Sequence, residues 1–497
     1  MNEKLSRRDL LQAALAISAT GVLSGCASAA MPKSAPLADL DAVGTAEAIR
    51  NGDLTAQEAV AAAIRRAQAV EPQVNAIVTE AYDRARATAR STLSGSFAGV
   101  PTFIKDLDDV RGLPTHSGSR SFGHEPATGQ GPYVGALERA GLVFLGKSST
   151  PEFGLTGSTE PLLHGPTRNP WNLDYSPGGS SGGSAALVAA RVVPIAHATD
   201  GGGSIRVPSS CCGVFGLKPS RGRAVPLGRP VGPVDIAISH AASISVRDSA
   251  QWLAVTERTG EDKVYAPDGM IRGPAKRRLR IALDLESLMG TPVDAEVRAA
   301  IEDTARMCQA LGHRVEVAPL PLPKREFTEA FILYWSSGAA RIADGLEKRL
   351  GRPLTDADLE PWTLGLRDYF RQRRDGFDAA VATLKASVPA VEAFYQDHDV
   401  LLTPVLSKLT PRIGDLAPDL PFQTHFERAL GYLGFTPVQN ASGTPGMSVP
   451  LHWSKAGLPI GSHFAAKAGD ERTLLELAYE LEAAHPWAGR RPPIVAA

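Results

Sequence analysis

A chain of 497 residues, 43% apolar and 21% charged, holds enough material for a large buried core and reads as an ordinary globular protein. Its 52 basic and 53 acidic side chains leave a formal charge of −1 with no basic stripe, which argues against a nucleic-acid partner. The four cysteines (Cys26, Cys211, Cys212 and Cys308) include no CxxC pair, so neither a disulfide framework nor a structural zinc site is expected.

The chain opens with Ser6-Arg7-Arg8-Asp9-Leu10-Leu11, a twin-arginine pattern. An apolar run from Leu10 to Leu23 follows, and then Leu23-Ser24-Gly25-Cys26, which has the form of a lipoprotein cleavage box. Residues 1–25 are therefore expected to be a targeting segment, Cys26 the lipidated residue, and residues 26–39 a tether. The implied location is the periplasm or the cell envelope, reached by the twin-arginine route, with membrane contact only through the anchor. Two alternatives stay open. Ala27-Ser28-Ala29 is a rival cleavage site that would release a soluble protein, and the segment could remain as an uncleaved anchor. The apolar run is short of the about 20 residues that a bilayer span requires.

From residue 40 to about 490 the pattern predicts one domain. A short helix over Thr45–Arg50 ends at Asn51-Gly52. Thr55-Ala56-Gln57-Glu58 is a capping box that opens a second helix, expected to stop at Glu71-Pro72. Residues 81–93 look helical. Beyond Gly99, apolar strand-like runs (Val100–Ile104, Leu142–Leu145, Val192–Ala196) alternate with Gly/Ser/Pro loops and helices. That alternation predicts an α/β class, with a mixed, twisted β-sheet sandwiched between layers of α-helices. Residues 280–400 read as a helical, substrate-side region. Its Trp335, Trp362, Tyr369 and Phe370 are expected to serve interhelix packing more than to line a substrate mouth. Asp399–Pro404 reads as a buried strand that rejoins the sheet, and Leu474–Glu482 as the last amphipathic helix.

Two motifs are decoys. Gly141-Leu142-Val143-Phe144-Leu145-Gly146-Lys147-Ser148 matches a phosphate loop, but the residues between its glycines are themselves a strand. Gly178-Gly179-Ser180-Ser181-Gly182 matches a nucleophile elbow, but a loop precedes it where an elbow needs an apolar strand. Lys105 stands at the end of the run Gly99–Ile104. Ser180 follows 75 positions later, and Ser204, in Asp200-Gly201-Gly202-Gly203-Ser204-Ile205-Arg206, another 24 positions on. Each Gly/Ser run alone could be a flexible loop. Two of them bracketing the helix-plus-strand stretch 185–196 are not a linker.

These residues carry a resemblance. Gly178–Ala185, Asp200–Arg206 and Gly216-Leu217-Lys218-Pro219 are similar to the central signature of the amidase-signature enzymes, across about residues 40–485. Flanking marks agree in order: Gly146-Lys147, Pro151-Glu152-Phe153, Arg168-Asn169-Pro170-Trp171, Phe435-Thr436-Pro437, Asn440 and Gly457-Leu458-Pro459. Within the family, Asp200–Arg206 and Arg168–Trp171 look most like the branch that hydrolyses 6-aminohexanoate cyclic dimer. Many relatives carry a branched residue where Gly201 stands, which would change the pocket floor.

The resemblance implies a Ser-Ser-Lys triad for hydrolysis of a linear or cyclic amide, without metal or cofactor. Ser204 attacks and Ser180, after a cis peptide bond, relays its proton to Lys105. A serine hydroxyl needs such a base. Lysine serves only when neutral, so its ordinary value of about 10.4 must fall, as desolvation makes it do. Asp106 would oppose that fall unless strand alternation turns it to the other face. Gly201, Gly202 and Gly203 are implied as the oxyanion hole, and Ser181, Asp200 and Arg206 as its hydrogen-bonded support. The implied partner is a small-molecule amide, and the chain could form a homodimer. Competing readings are an ester or carbamate hydrolase with the same triad, the amidotransferase subunit that serves transfer-RNA charging, and an inactive solute-binding lipoprotein. The twin-arginine segment argues against the amidotransferase, and the intact triad against the inactive binder.

Overall fold

The structure is a computed structural model, and residues 39–122, 125–228 and 232–496 are described. Cys26 and the targeting and tether segments, apart from Asp39, lie outside the described residues. No described helix is long and apolar enough to cross a membrane.

Among the described residues, eleven strands form two sheets. β1 (Ile77–Glu80), β3 (Val143–Ser148) and β2 (Pro101–Lys105) make a small one in the order β1-β3-β2. The larger holds β4 (Ile195–Asp200), β5 (Phe215–Lys218), β6 (Ile238–Ser243), β7 (Arg280–Leu283), β8 (Arg314–Val317), β9 (Val400–Pro404), β10 (Gly446–Trp453) and β11 (Pro459–Ala466). Its order is β4-β6-β5-β10-β11-β9-β7-β8, antiparallel except for the parallel trio β9-β7-β8. The mixed sheet expected from sequence is the larger one, and the small three-stranded sheet adjoins it. The Thr102 hydroxyl donates to the Ile195 carbonyl at 2.9 Å, so β2 lies beside β4.

Side chains alternate across a strand, so a sheet covered on both faces needs apolar residues at every position. That is seen here. Ile281, Leu283, Val400, Leu402, Phe464 and Ala466 pack on one face against helices Val246–Thr256, Ala295–Ala310 and Glu471–Ala484. Their neighbours Ala282, Leu401 and Ala465 pack on the other face against helices Lys324–Leu350 and Phe377–Asp397.

Local chemistry sets the ends of these elements. The Thr55 side chain accepts the Glu58 N–H while Glu58 accepts the Thr55 N–H, the reciprocal cap read from sequence. The helix does not stop at Pro72, however, and continues from Ala56 to Val74. A proline near the last turn forfeits one hydrogen bond only, and Glu71 compensates by accepting the N–H groups of Ala76 and Ile77. The phosphate-loop decoy folds as β3, a strand through Gly146-Lys147-Ser148.

Candidate active site

Lys105 is the last residue of β2 and is fully buried. Its Nζ lies 2.7 Å from Ser180 Oγ, 2.9 Å from Ser181 Oγ and 3.0 Å from Thr199 Oγ1. Asp106 turns elsewhere, as strand alternation requires. Its carboxylate sits 3.1 Å from Lys147 Nζ and accepts the His116 N–H. Sequence reasoning did not single out Thr199. The signal available was its place on β4 immediately before Asp200.

The Gly179–Ser180 peptide bond is cis. Ser181 then ties the two Gly/Ser segments together. Its hydroxyl donates to the Thr199 carbonyl, and its N–H donates to the Ser204 carbonyl at 3.2 Å. The helix Gly182–Ala189 that follows is buried along its whole length. Ser180 and Ser204 are thereby held beside the end of β4.

Asp200 ends β4 and organises the glycine run after it. Its carboxylate accepts Gly203 N–H at 2.7 Å and Ile205 N–H at 3.1 Å, and pairs through two hydrogen bonds with Arg206. Arg206 also reaches Gln439 and Asn440, and Asn440 donates back to Asp200. Burial pushes the Asp200 carboxyl upward, but the charge and hydrogen bonds of Arg206, with Lys218 and Asn440, outweigh it and hold the carboxyl well below its usual range. Lys218, equally buried, is lowered to about 7, by burial first and by Arg206 second.

This network corrects one expectation. The Gly203 N–H points at Asp200, so it is not aimed at an oxyanion. Among the described residues, the N–H groups of Gly201, Gly202 and Ser204 donate to no loop or side-chain acceptor. Gly203 instead shapes the backbone. Its φ of +133° suits glycine, and a Cβ there would meet Thr436 Oγ1 at 2.3 Å. Thr436 in turn donates to the Gly202 carbonyl at 2.6 Å, which gives a structural role to the C-terminal Thr436 and Asn440 marks.

Two cavities meet at Ser204, sharing Leu155 and Trp335 as walls. One is apolar, lined by Phe327, Phe331, Trp362, Leu366 and Phe426, with no charged side chain. The other is polar and holds Ser180, Asp235, Arg258, Tyr334 and Arg341. Trp335 and Trp362 keep the packing role expected of the aromatics, Trp362 stacked on His425 and Phe422 and Trp335 on Phe331, and both also line the apolar cavity. Both indole N–H groups donate to the Leu155 carbonyl, which satisfies their polar edge. Tyr369 lies in the groove outside, and Phe370 packs edge-on against Phe377. The glycine at 201 admits Trp335: a Cβ there would stand 3.1 Å from the indole.

The arrangement supplies a chain of hydroxyls ending on an amine, a serine open to two cavities and free N–H groups beside it. Comparison with known proteins agrees with that chemistry. The amidase family model matches residues 58–475. The Mycobacterium leprae (strain TN) protein AmiC, whose name assigns it as an amidase, is 43% identical over 91% of this chain and 96% of its own length. The 6-aminohexanoate-cyclic-dimer hydrolase of Pseudomonas sp. (strain NK87) is 37% identical over 92% of this chain and 97% of its own length. The structure of a 6-aminohexanoate cyclic dimer hydrolase complexed with substrate superposes with a TM-score of 0.81 at 34% identity, covering 92% of this chain and 99% of that one. A bacterial aryl acylamidase superposes at 0.80 with 27% identity, over 92% and 100%.

Proposed function

This chain belongs to the amidase family and is a hydrolase of carbon–nitrogen bonds other than peptide bonds, and from that premise we propose that it works through Ser204, Ser180 and Lys105. The observation that carries the proposal is the 2.7 Å contact of buried Lys105 Nζ with Ser180 Oγ, behind a cavity that Ser180 and Ser204 both line.

The reaction starts from the neutral Lys105 amine. Ser204 Oγ attacks the amide carbonyl, its proton passes to Ser180 Oγ, and the Ser180 proton passes to Lys105 Nζ. The oxyanion meets the N–H groups of Gly201, Gly202 and Ser204, each such donor contributing about 3–4 kcal/mol. Collapse breaks the C–N bond, and the proton returns from Lys105 through Ser180 to the leaving nitrogen. Water then attacks the acyl-enzyme by the same relay and frees the acid. The Asp200–Arg206 pair fixes the loop that carries these donors.

The substrate is read as a small linear or cyclic amide, since relatives include a hydrolase of a cyclic amide dimer and an aryl acylamidase. The apolar cavity supports an acyl group of aliphatic or aromatic character. The N-terminal pattern supports export by the twin-arginine route and a lipid anchor at Cys26.

A serine-directed fluorophosphonate tests the chemistry. The wild type is expected to gain one adduct by intact mass, mapped to Ser204, and Ser204→Ala to gain none. Equal labelling of the two proteins sinks the assignment. A parallel panel of amides, esters and carbamates shows which bond is cut fastest.

A further inference from the structure

The two cavities at Ser204 differ in charge, and the difference specifies a substrate class. The inference rests on the Ser204 amidase reading above. In that reading Ser180 hands a proton to the departing nitrogen, and Ser180 lines the polar cavity but not the aromatic one. The amine half of the substrate therefore lies on the polar side and the acyl half on the aromatic side.

The charged groups of the polar side are few. Asp200 is committed to Arg206. Arg258 donates its Nε to the Ala224 carbonyl at 2.8 Å and lies 3.9 Å from Asp262. The Asp235 backbone carbonyl accepts from Arg221, while its carboxylate has no ion pair or hydrogen bond to another described residue. Arg341 is the one cation of this cavity that no ion pair or hydrogen bond joins to another described residue. It follows Trp335 by six positions on the helix Lys324–Leu350, which sets it about 9 Å along the axis from the wall beside Ser204. Its guanidinium comes close to Gly232 across the cavity edge, 3.6 Å from where a Cβ would stand.

An arginine left unpaired at a cavity mouth offers a planar fork of donors that matches a carboxylate. The aromatic cavity offers an anion nothing, because a buried charge without a partner is costly. We propose that Arg341 receives a carboxylate on the amine half of the substrate, so that the preferred substrates join an apolar acyl group to an amino acid or aminobenzoate. Arg341 acts here as a specificity residue and takes no part in bond cleavage.

The test uses the full chain and four anilides. Three share a hexanoyl acyl group and differ in the amine: 4-aminobenzoate, 4-aminobenzamide and 4-(aminomethyl)aniline. The fourth, adipate monoanilide, moves the carboxylate to the acyl half. The expected result is a kcat/KM for the aminobenzoate amide at least about tenfold above that for the aminobenzamide, the size of one charge-assisted hydrogen bond, carried mostly by KM. In Arg341→Gln that ratio falls to about one, and Arg341→Lys keeps part of it. The adipate monoanilide is the poorest of the four. The proposal is overturned by an equal ratio in wild type and Arg341→Gln, by no preference in the wild type, or by preference for the cationic amine, which would assign the site to Asp235. If the neutral amide is cleaved by the wild type and not by Ser204→Ala while the anionic amide gains nothing, only the Arg341 proposal falls. If Ser204→Ala cleaves as well as wild type, or no anilide is cleaved, the underlying amidase reading falls with it.

Discussion

Gly201 and Gly203 stand two positions apart in one loop and are constrained by different things. At Gly203 both the φ of +133° and the 2.3 Å approach of Thr436 Oγ1 forbid a side chain. At Gly201 only the movable edge of Trp335 stands in the way, at 3.1 Å. Gly203→Ala is thus expected to lower kcat/KM by at least about 100-fold, because misplacing the donor loop by an ångström is costly. Gly201→Ala should shift it by less than about tenfold, mostly through KM, since only a pocket wall moves. Steady-state kinetics of the two variants on one amide decide the point. Equal losses would mean that Gly201 is as constrained as Gly203. At this scale the sequence was legible where a motif fixes a residue, as with Lys105, Ser180 and Ser204. It was not legible where a hydrogen bond decides. Nothing in a run of three glycines announces that Asp200 claims the third N–H.

Among the elements, the helix Pro361–Gln372 brings Trp362 to the cavity, and its start is tied down by two buried carboxyls. The Glu360 N–H donates to Glu152 Oε2 at 2.9 Å, and Glu360 Oε1 accepts the Leu162 N–H at 2.7 Å. The Ser119 hydroxyl donates to Glu152 at 2.7 Å. Burial, and then the charge of Glu152, push the Glu360 carboxyl up to about 8, with Arg120 opposing and Asp419 adding slightly. A carboxyl whose folded value exceeds its unfolded one binds its proton in the fold. Its contribution is complete below the unfolded value of about 4.3 and is lost as pH rises toward 8. Stability should therefore fall across that window, and Glu360→Gln should flatten the fall by on the order of 2 kcal/mol. Urea midpoints at pH 5 and pH 8 measure it. An unchanged slope in the variant would place the titration elsewhere. Elements were legible from their ends: the Thr55 cap was read correctly, but Pro72 was given too much weight. Trp335 and Trp362 both pack and line a cavity, a double role that the sequence reading did not give them. Helical periodicity marks a residue as buried and does not say whether packing or a cavity receives it.

For the molecule as a whole, the alternation of apolar runs with Gly-rich loops was enough to predict a sheet covered on both faces. That the strands divide into two sheets meeting at β2 and β4 was not legible, because register between distant strands leaves no local trace. The N-terminal export proposal has its own test. In a host with a twin-arginine system, the full chain should appear in the envelope fraction and incorporate labelled fatty acid. Arg7→Lys with Arg8→Lys should hold it in the cytoplasm, and Cys26→Ala should abolish the lipid label. Label retained in Cys26→Ala, or export unaffected by the paired lysines, would reject this reading.

Lys105, Ser180 and Ser204 are all in place before residue 206. Phe327, Phe331, Trp335, Arg341 and Trp362 arrive later, on an excursion that leaves β8 and returns at β9, either side of β7. The tool that cuts and several aromatic walls of the pocket are thus written on separate stretches of chain, while Leu155, Phe426 and much of the polar wall lie outside the excursion. Changes confined to the excursion can therefore reshape the aromatic wall and leave the cutting residues as they were.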